Sequence, residues 1–331
     1  MAWTEFLKEG VLDWILDPSD PSVRFWALQY LKGKKTDDKQ VTDSQTELMK
    51  SPCVKAILGA QKAEGHWDDP NDMYLPKYTA STHSLLILSE LGAKRTPAIE
   101  QGMEFVFSCQ RDSGHFLTNV PKTERGRASK MTDGCCLDGN ILYYAIHFGY
   151  LDDSRVQRLI QFLSDDHSEK NGGWRCRAFP IDPSKVFPAN CYMGGFKALR
   201  GLSRIPSKKR SKTVKNIIET EVELILDNGI FRYLKNVDGS RKDKAGWKRF
   251  GFPLFYQSDI LEVLDTLTHL GANDERMQDS IDLVISAMSE DGRWLLKHSF
   301  NGKMHCDIDV KGQPSKWITL RALRVLKRYY G

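Results

Sequence analysis

Apolar positions along the chain recur at i, i+3 and i+4, as in Val23, Phe25, Trp26 and Leu28, or Leu320, Leu323, Val325 and Leu326. That period is the buried stripe of an amphipathic helix, and no run alternates long enough to argue for a sheet. The pattern predicts helices at about 3–16, 22–33, 43–63, 78–92, 96–110, 138–150, 153–166, 190–205, 208–227, 256–271, 274–289 and 316–330. Several open on a cap or a proline (Asp20-Pro21-Ser22, Thr96-Pro97, Asp274, Pro314-Ser315), and several stop on Gly33, Gly92, Gly149 or Gly271.

Between these segments one turn signature keeps returning. Gln61-Lys62-Ala63-Glu64-Gly65-His66-Trp67 is echoed by Gln110-Arg111-Asp112-Ser113-Gly114-His115-Phe116, by Asn171-Gly172-Gly173-Trp174 and by Ser289-Glu290-Asp291-Gly292-Arg293-Trp294. The glycines fall roughly fifty to sixty residues apart, one interval spanning two units; such periods mean stacked units that cannot bury their apolar faces alone. Twelve helices in six pairs predict an all-α fold, an α/α toroid with one ring of helices inside another, forming a single domain over 1–331. The helix after each Gly-aromatic turn belongs to the inner ring. The residues just before 78, 138, 190, 256 and 316 are therefore expected to gather at one mouth. Three connections, 117–137, 175–189 and 235–255, exceed what packing requires. Residues 235–250, rich in Lys, Asp and Gly, read as a mobile loop.

A chain of 331 residues with 40% hydrophobic and 27% charged residues is globular in composition and far from the disordered range. The net charge of +5 is mild, and the basic run Lys208-Lys209-Arg210, with Lys212 and Lys215, reads as a solvated helix face. No nucleic-acid partner is expected. No stretch approaches the roughly 18 apolar residues of a membrane span. Seven cysteines, without disulfide-like spacing or a cationic leader at Met1-Ala2-Trp3-Thr4-Glu5, suggest a cytoplasmic protein with reduced thiols.

The best charge constellation is Gly126-Arg127-Ala128-Ser129-Lys130-Met131-Thr132-Asp133-Gly134-Cys135-Cys136, just ahead of an inner helix. Arg127, Lys130 and Asp133 are spaced by three, so a single turn would align them, and a helix N-terminus adds N–H groups and partial positive charge. The set suits a phosphate, and above all the diphosphate of an activated isoprenoid; as ordinary solvated charges Arg127 and Lys130 would do nothing. Lys77, Tyr78, Tyr192, Tyr256, Asp259, Lys316 and Trp317 are further candidates for the mouth, where their rings would line an isoprenoid pocket and steady cationic charge. Trp67, Trp174 and Trp294 belong to the repeat and read as packing. His66 and His115 read as exposed or capping.

Gly126 to Cys135 matches G-R-x-x-K-x-x-D-G-C, and here the chain resembles the β subunits of the protein prenyltransferases. Those subunits and the related squalene and terpenoid cyclases share the toroid and its Q-x-x-x-G-x-W repeats, a resemblance extending over about 300 residues. The chain is similar, too, to bacterial and archaeal prenyltransferase-like toroid proteins that end as it does in Pro314-Ser315-Lys316-Trp317-Ile318-Thr319-Leu320-Arg321-Ala322-Leu323. The resemblance implies zinc on Asp133 and Cys135, diphosphate on Arg127 and Lys130, and a catalytic role for all but the cysteine. The family's later His-x-Cys-Tyr is Ala189-Asn190-Cys191-Tyr192 here, so its histidine is missing. Sulfur can fill the gap: Cys136, Cys176 and Cys191 are expected at the same mouth. A fourth ligand would come from Cys135, Asp133, His167 or His115. Alternatively these are buried thiols that behave as small hydrophobes.

Magnesium is less favoured. Asp68-Asp69-Pro70-Asn71-Asp72 spells D-D-x-x-D but sits in a polar turn, and Cys306-Asp307-Ile308-Asp309-Val310 lacks the last carboxylate of the cyclase acid motif. The expected function is a transferase or cyclase holding an isoprenoid diphosphate or similar amphipathic molecule in a central cavity. Two readings compete with it. A carbohydrate-active barrel would use Asp133 or Asp138 with Asp259 as its acid pair. A non-catalytic module would bind a lipid or a peptide end. A protein partner is possible for such a toroid but not indicated.

Overall fold

A computed structural model describes residues 2–169, 172–174, 191–234 and 241–331. Its helices are α1 (Val11–Ile15), α2 (Pro21–Tyr30), α3 (Lys39–Leu48), α4 (Pro52–Gly59), α5 (Ser81–Leu91), α6 (Pro97–Ser108), α7 (Glu124–Arg127), α8 (Cys135–His147), α9 (Ser154–Asp165), α10 (Tyr192–Ser203), α11 (Lys212–Asp227), α12 (Ile260–His269), α13 (Gln278–Ser286) and α14 (Lys316–Tyr330). A short antiparallel hairpin pairs β1 (Arg232–Leu234) with β2 (Arg241–Asp243), the one sheet among the described residues.

The inner ring runs α5, α8, α10, α12, α14, α2, each packed on the next. Trp26 Nε1 closes it by donating to the Glu90 carbonyl at 2.8 Å. Burial distinguishes the rings: all eleven residues of α5 and nine of ten in α12 are buried, against three of twelve in the outer helix α9. The α/α toroid is thus the fold, with outer helices laid over the inner ones.

The repeated turn explains itself atom by atom. Gln61 Nε2 donates to the Gly65 and Ala98 carbonyls, both at 2.8 Å, and Gln110 Nε2 repeats this with Gly114 and Arg155. The side-chain amide ties its own turn to the next outer helix. Gly114 sits at φ +98, and a Cβ there would lie 2.3 Å from the Arg158 carbonyl, so only glycine lets turn and helix approach. Trp67, Trp174 and Trp294 are fully buried, and each Nε1 donates at 2.7 Å to a carbonyl of the preceding outer helix. They are packing residues, as expected.

Some boundaries differ from expectation. Segment 3–16 is a 3-10 turn (Trp3–Phe6) followed by α1, and 43–63 breaks into α3 and α4 where Ser51 caps a new helix at Pro52. Residues 241–250 of the expected mobile loop hold β2 and a turn that buries Trp247 against Tyr192, ring centroids 5.6 Å apart; 235–240 lie outside the described residues. His66 and His115 are buried, not exposed. Cys53 and Cys306 are bonded across 253 residues, which corrects the expectation of reduced thiols for this pair. Linear spacing does not show it, because only ring closure brings α4 beside the C-terminal loop.

Candidate functional site

The N-termini of the inner helices converge on an aromatic chamber. Tyr74 and Tyr78 lie 4.7 and 5.9 Å from the His83 ring; Tyr78 also packs on Phe255 at 5.0 Å and on Phe300 at 4.4 Å. Lys77 Nζ stands over Tyr256 at 5.3 Å and Tyr74 at 6.0 Å. Beneath them His83, Cys136, Asn140, Phe255 and Tyr256 wall a void of about 20 Å³, room for a water or so. His83 Nδ1 and Asn140 Oδ1 are buried there without hydrogen-bond partners among the described residues. Burial, with Lys77 adding to it, holds the His83 imidazole down at about 3, so the ring is neutral at physiological pH. Tyr78 has φ +82, a left-handed backbone that tyrosine adopts at a cost.

Of the expected mouth residues, Lys77, Tyr78, Tyr256 and Cys136 are gathered here. The others are placed elsewhere. Tyr192 donates to the Ile230 carbonyl at 2.6 Å and stacks on Trp247. Lys316 lies over Trp14 at 5.8 Å, and Trp317 stacks on Phe252 at 4.1 Å. Arg127, Lys130 and Asp133 do not share a turn: α7 ends at Arg127, the chain is irregular through Gly134, and α8 begins at Cys135. Arg127 and Lys130 are exposed, while the half-buried Asp133 accepts from Thr118 N–H at 2.8 Å. Spacing by three aligns side chains only in a helix.

The residues expected to hold zinc divide. A Cβ on Gly194 would lie 2.7 Å from Cys135 Sγ and 3.3 Å from Cys191 Sγ, so these two sulfurs flank one glycine of α10. Cys136, next along α8, faces the chamber instead. Cys176 lies outside the described residues. His115 is engaged through Nδ1 by Ser113 and through Nε2 by the Met131 carbonyl, and His167 Nε2 meets Glu221 at 2.8 Å. Cys135 and Cys191 are thus the two expected zinc ligands that lie side by side, and among the described residues no group of three His, Cys, Asp or Glu is arranged to hold a metal ion. The D-D-x-x-D carboxylates cap their own loop, Asp69 taking Asn71 N–H and Asp72 taking Tyr74 and Leu75 N–H.

Asp138 and Asp259 have structural duties. Asp138 Oδ1 accepts Phe116 N–H at 2.9 Å, the same contact that Ser81 makes with Trp67 and Thr319 with Trp294 in neighbouring repeats. Asp259 caps α12 through Glu262 N–H and also takes Gly251 N–H. Burial drives the Asp138 carboxyl up to about 8 against the Phe116 N–H, with Asp133 adding to the rise. An acid whose folded pKa is raised favours the native state when protonated, so stability falls as pH climbs from about 4 to 8. Asp138→Asn is expected to flatten that fall while matching wild type near pH 5; urea midpoints at pH 5 and 8.5 measure it. An unchanged slope would refute the assignment.

One turn deeper, the axis is charged, which sequence reading missed. Glu90 takes Arg200 and Arg321, the latter at 2.8 Å. Glu262 takes Lys197 at 2.8 Å and Arg200 Nε at 3.4 Å, and Asp265 takes Arg324 together with Arg328 at 2.9 Å. Burial pushes the Glu90 carboxyl up, but Arg200 and Arg321 outweigh it and hold it down at about 2. Burial likewise lowers Lys197 to about 8 although Glu262 opposes this. The signal lay in Lys197/Arg200/Arg204, Glu262/Asp265 and Arg321/Arg324/Arg328, charges repeated at helical spacing on inner helices.

No protein-family model and no curated protein sequence matches the chain. Among solved structures it is similar to a glycosyl hydrolase family 88 protein from Bacteroides vulgatus, with 10% identity, 99% of each chain covered and a TM-score of 0.52. It is also similar to the type II terpene cyclase MstE from Scytonema, with 13% identity, 86% of this chain and 97% of that one covered, and a TM-score of 0.34. The first likeness bears on fold alone; the second is too distant to carry an argument. Fold does not select among chemistries. Among the described residues no helix is long and apolar enough to cross a membrane.

Proposed function

We propose that this toroid binds an amphipathic organic anion, an isoprenoid diphosphate or a molecule like it, in the aromatic chamber at the N-terminal mouth of the inner ring. One observation carries the reading: Tyr74, Tyr78, Phe255, Tyr256 and Phe300 surround the neutral His83 with Lys77 over the rim. Rings and an uncharged imidazole suit an apolar chain, and a lysine ammonium suits its anionic end. The void of about 20 Å³ admits no such ligand as it stands, so the Tyr78 ring must swing out. Its left-handed backbone makes it the residue poised to do so, because leaving that conformation releases strain. Arg127 and Lys130, exposed on the loop ahead of α8, are a second grip on the anion. The carbohydrate reading is weaker, since Asp138 and Asp259 are already spent on backbone N–H groups.

Equilibrium dialysis with radiolabelled geranylgeranyl diphosphate tests this. Wild type is expected to retain the ligand, Lys77→Ala and Tyr256→Ala to weaken retention about tenfold each, and Arg127→Ala/Lys130→Ala to weaken it less. No retention by wild type, or retention indifferent to Lys77, overturns the proposal. Oligosaccharide retained in its place would favour the carbohydrate reading.

A further inference from the structure

The charged axis beneath the chamber is a second feature, independent of the first. Six cations (Lys197, Arg200, Arg204, Arg321, Arg324 and Arg328) face three carboxylates (Glu90, Glu262 and Asp265). Each carboxylate is shared between two cations, so positive charge is left over. Arg204 has no carboxylate partner among the described residues; its Nη2 reaches the Tyr143 hydroxyl at 3.3 Å and its guanidinium lies 4.8 Å from that ring's centroid. A buried lysine can shed its proton, but a guanidinium cannot, so the excess stays as charge. Uncompensated charge in a protein interior is costly.

The donors are also incompletely used. Arg200 Nη1, Arg204 Nε, Arg321 Nη1 and Arg324 Nε are buried without hydrogen-bond partners, and all four arginines wall one void of about 20 Å³. Arg200, Arg321 and Arg324 are each more than nine-tenths buried. Trp26, Tyr30 and Arg204, on the same wall, are only half-buried, giving the void a way to solvent at the C-terminal ends of the inner helices. Convergent guanidinium N–H groups around a small polar void match the lone pairs of an oxyanion.

We propose that this axial cluster is a binding site for a small oxyanion of phosphate type, opening at the mouth opposite the aromatic chamber. The oxyanion accepts from the unused arginine donors and neutralises the surplus charge. Arg204, free of any carboxylate among the described residues, is the side chain that yields to admit it and then closes over it.

The test is calorimetric titration of the full chain with inorganic phosphate in a low-salt, chloride-free zwitterionic buffer. Saturable binding at about one equivalent is expected, with sulfate competing. Arg204→Gln is expected to weaken affinity about tenfold or more, and Arg204→Lys, which keeps charge but loses the fork, by less. Phenyl phosphate, titrated alongside, separates the sources: tighter binding than phosphate assigns the site to the phosphoryl end of a larger molecule, weaker binding to the free ion. Circular dichroism checks that the variants fold. Should Arg204→Gln fail to do so, Arg204→Lys and Tyr143→Phe, which frees Arg204 from its hydroxyl, keep the test open. No saturable binding by wild type, or affinity unchanged in the folded Arg204 variants, overturns the proposal.

Discussion

Glu90→Gln is expected to cost about 3–5 kcal/mol of folding stability, the largest loss from any single side chain on the axis. Glu90 accepts from Arg200 and Arg321 on two other inner helices, and all three side chains are buried. Glutamine keeps the shape and one acceptor oxygen but removes the negative charge, leaving two guanidiniums in the interior facing an amide. Neither can lose its proton to escape. The penalty is that of stranded charge more than of a lost contact, which sets up a sharper comparison. Glu90→Leu combined with Arg200→Met and Arg321→Leu removes the triad altogether and is expected to recover most of the loss, as apolar replacement of buried ion sets often does. Urea unfolding of the four proteins (wild type, Glu90→Gln, Arg321→Leu and the triple variant) measures it. A Glu90→Gln cost below about 1 kcal/mol would mean that water already screens the cluster. The acid limb carries the same information. The Glu90 carboxyl is held at about 2, below its ordinary value of 4.5. Its contribution is present above pH 4.5 and is lost as pH falls toward 2, and Glu90→Gln should lack that part of the acid transition.

The fold was legible because its signal is repeated. Gln61 and Gln110, the left-handed Gly65 and Gly114, and the tryptophans that reach back to the preceding outer helix make the same contacts in successive units. Each copy corroborates the others. The site was legible only in part. Helix register points Lys77, Tyr78, Tyr256 and Cys136 to the mouth, where they do gather, but it points Tyr192, Lys316 and Trp317 there as well, and these lie elsewhere. Tyr74 and Phe300 it does not point to, because both lie in irregular segments whose path follows from ring closure and has no period. For Arg127, Lys130 and Asp133 only the shared turn is absent: α7 ends at Arg127 and the chain stays irregular to α8, so a spacing of three aligns nothing there.

The axial charges illustrate a different limit. On an ordinary amphipathic helix one face is wet, so Arg321 and Arg324 beside Leu320 and Leu323 read as the solvated side. In the inner ring of a toroid one face meets the outer helices and the other meets the axis. Both are buried, and polar residues on the second face become a buried network. The same sequence pattern thus changes meaning with topology. Lys197, Arg200 and Arg204 on α10 follow the identical logic.

Gly139→Ala tests the geometry that brings these residues together. A Cβ on Gly139 of α8 would stand 2.3 Å from the Lys197 carbonyl oxygen, 2.4 Å from its carbon and 2.5 Å from Ala198 N on α10. From the other side, a Cβ on Gly201 would meet the Gly139 carbonyl oxygen at 2.6 Å. Backbone faces backbone, so no side chain can rotate away, and the two inner helices must separate by about an ångström to restore ordinary contact. Overpacking of cores typically costs about 1–3 kcal/mol; with main chain on both sides the expectation here is about 3 kcal/mol or more, and Gly139→Val should not fold. The displacement also carries Lys197, Arg200 and Arg204 away from Tyr143 and Asn140. Gly139→Ala, where still folded, should therefore lose phosphate affinity without touching any residue that binds it. Gly59→Ala is the contrast: it lies exposed at the end of α4 with nothing within 4 Å of the added carbon, and should gain up to about 1 kcal/mol from helix propensity. Urea midpoints and near-ultraviolet circular dichroism of the three variants decide the matter. Similar stabilities for Gly139→Ala and Gly59→Ala would mean that α8 and α10 do not pack backbone to backbone, and the axial cluster would lose the geometry on which its chemistry depends.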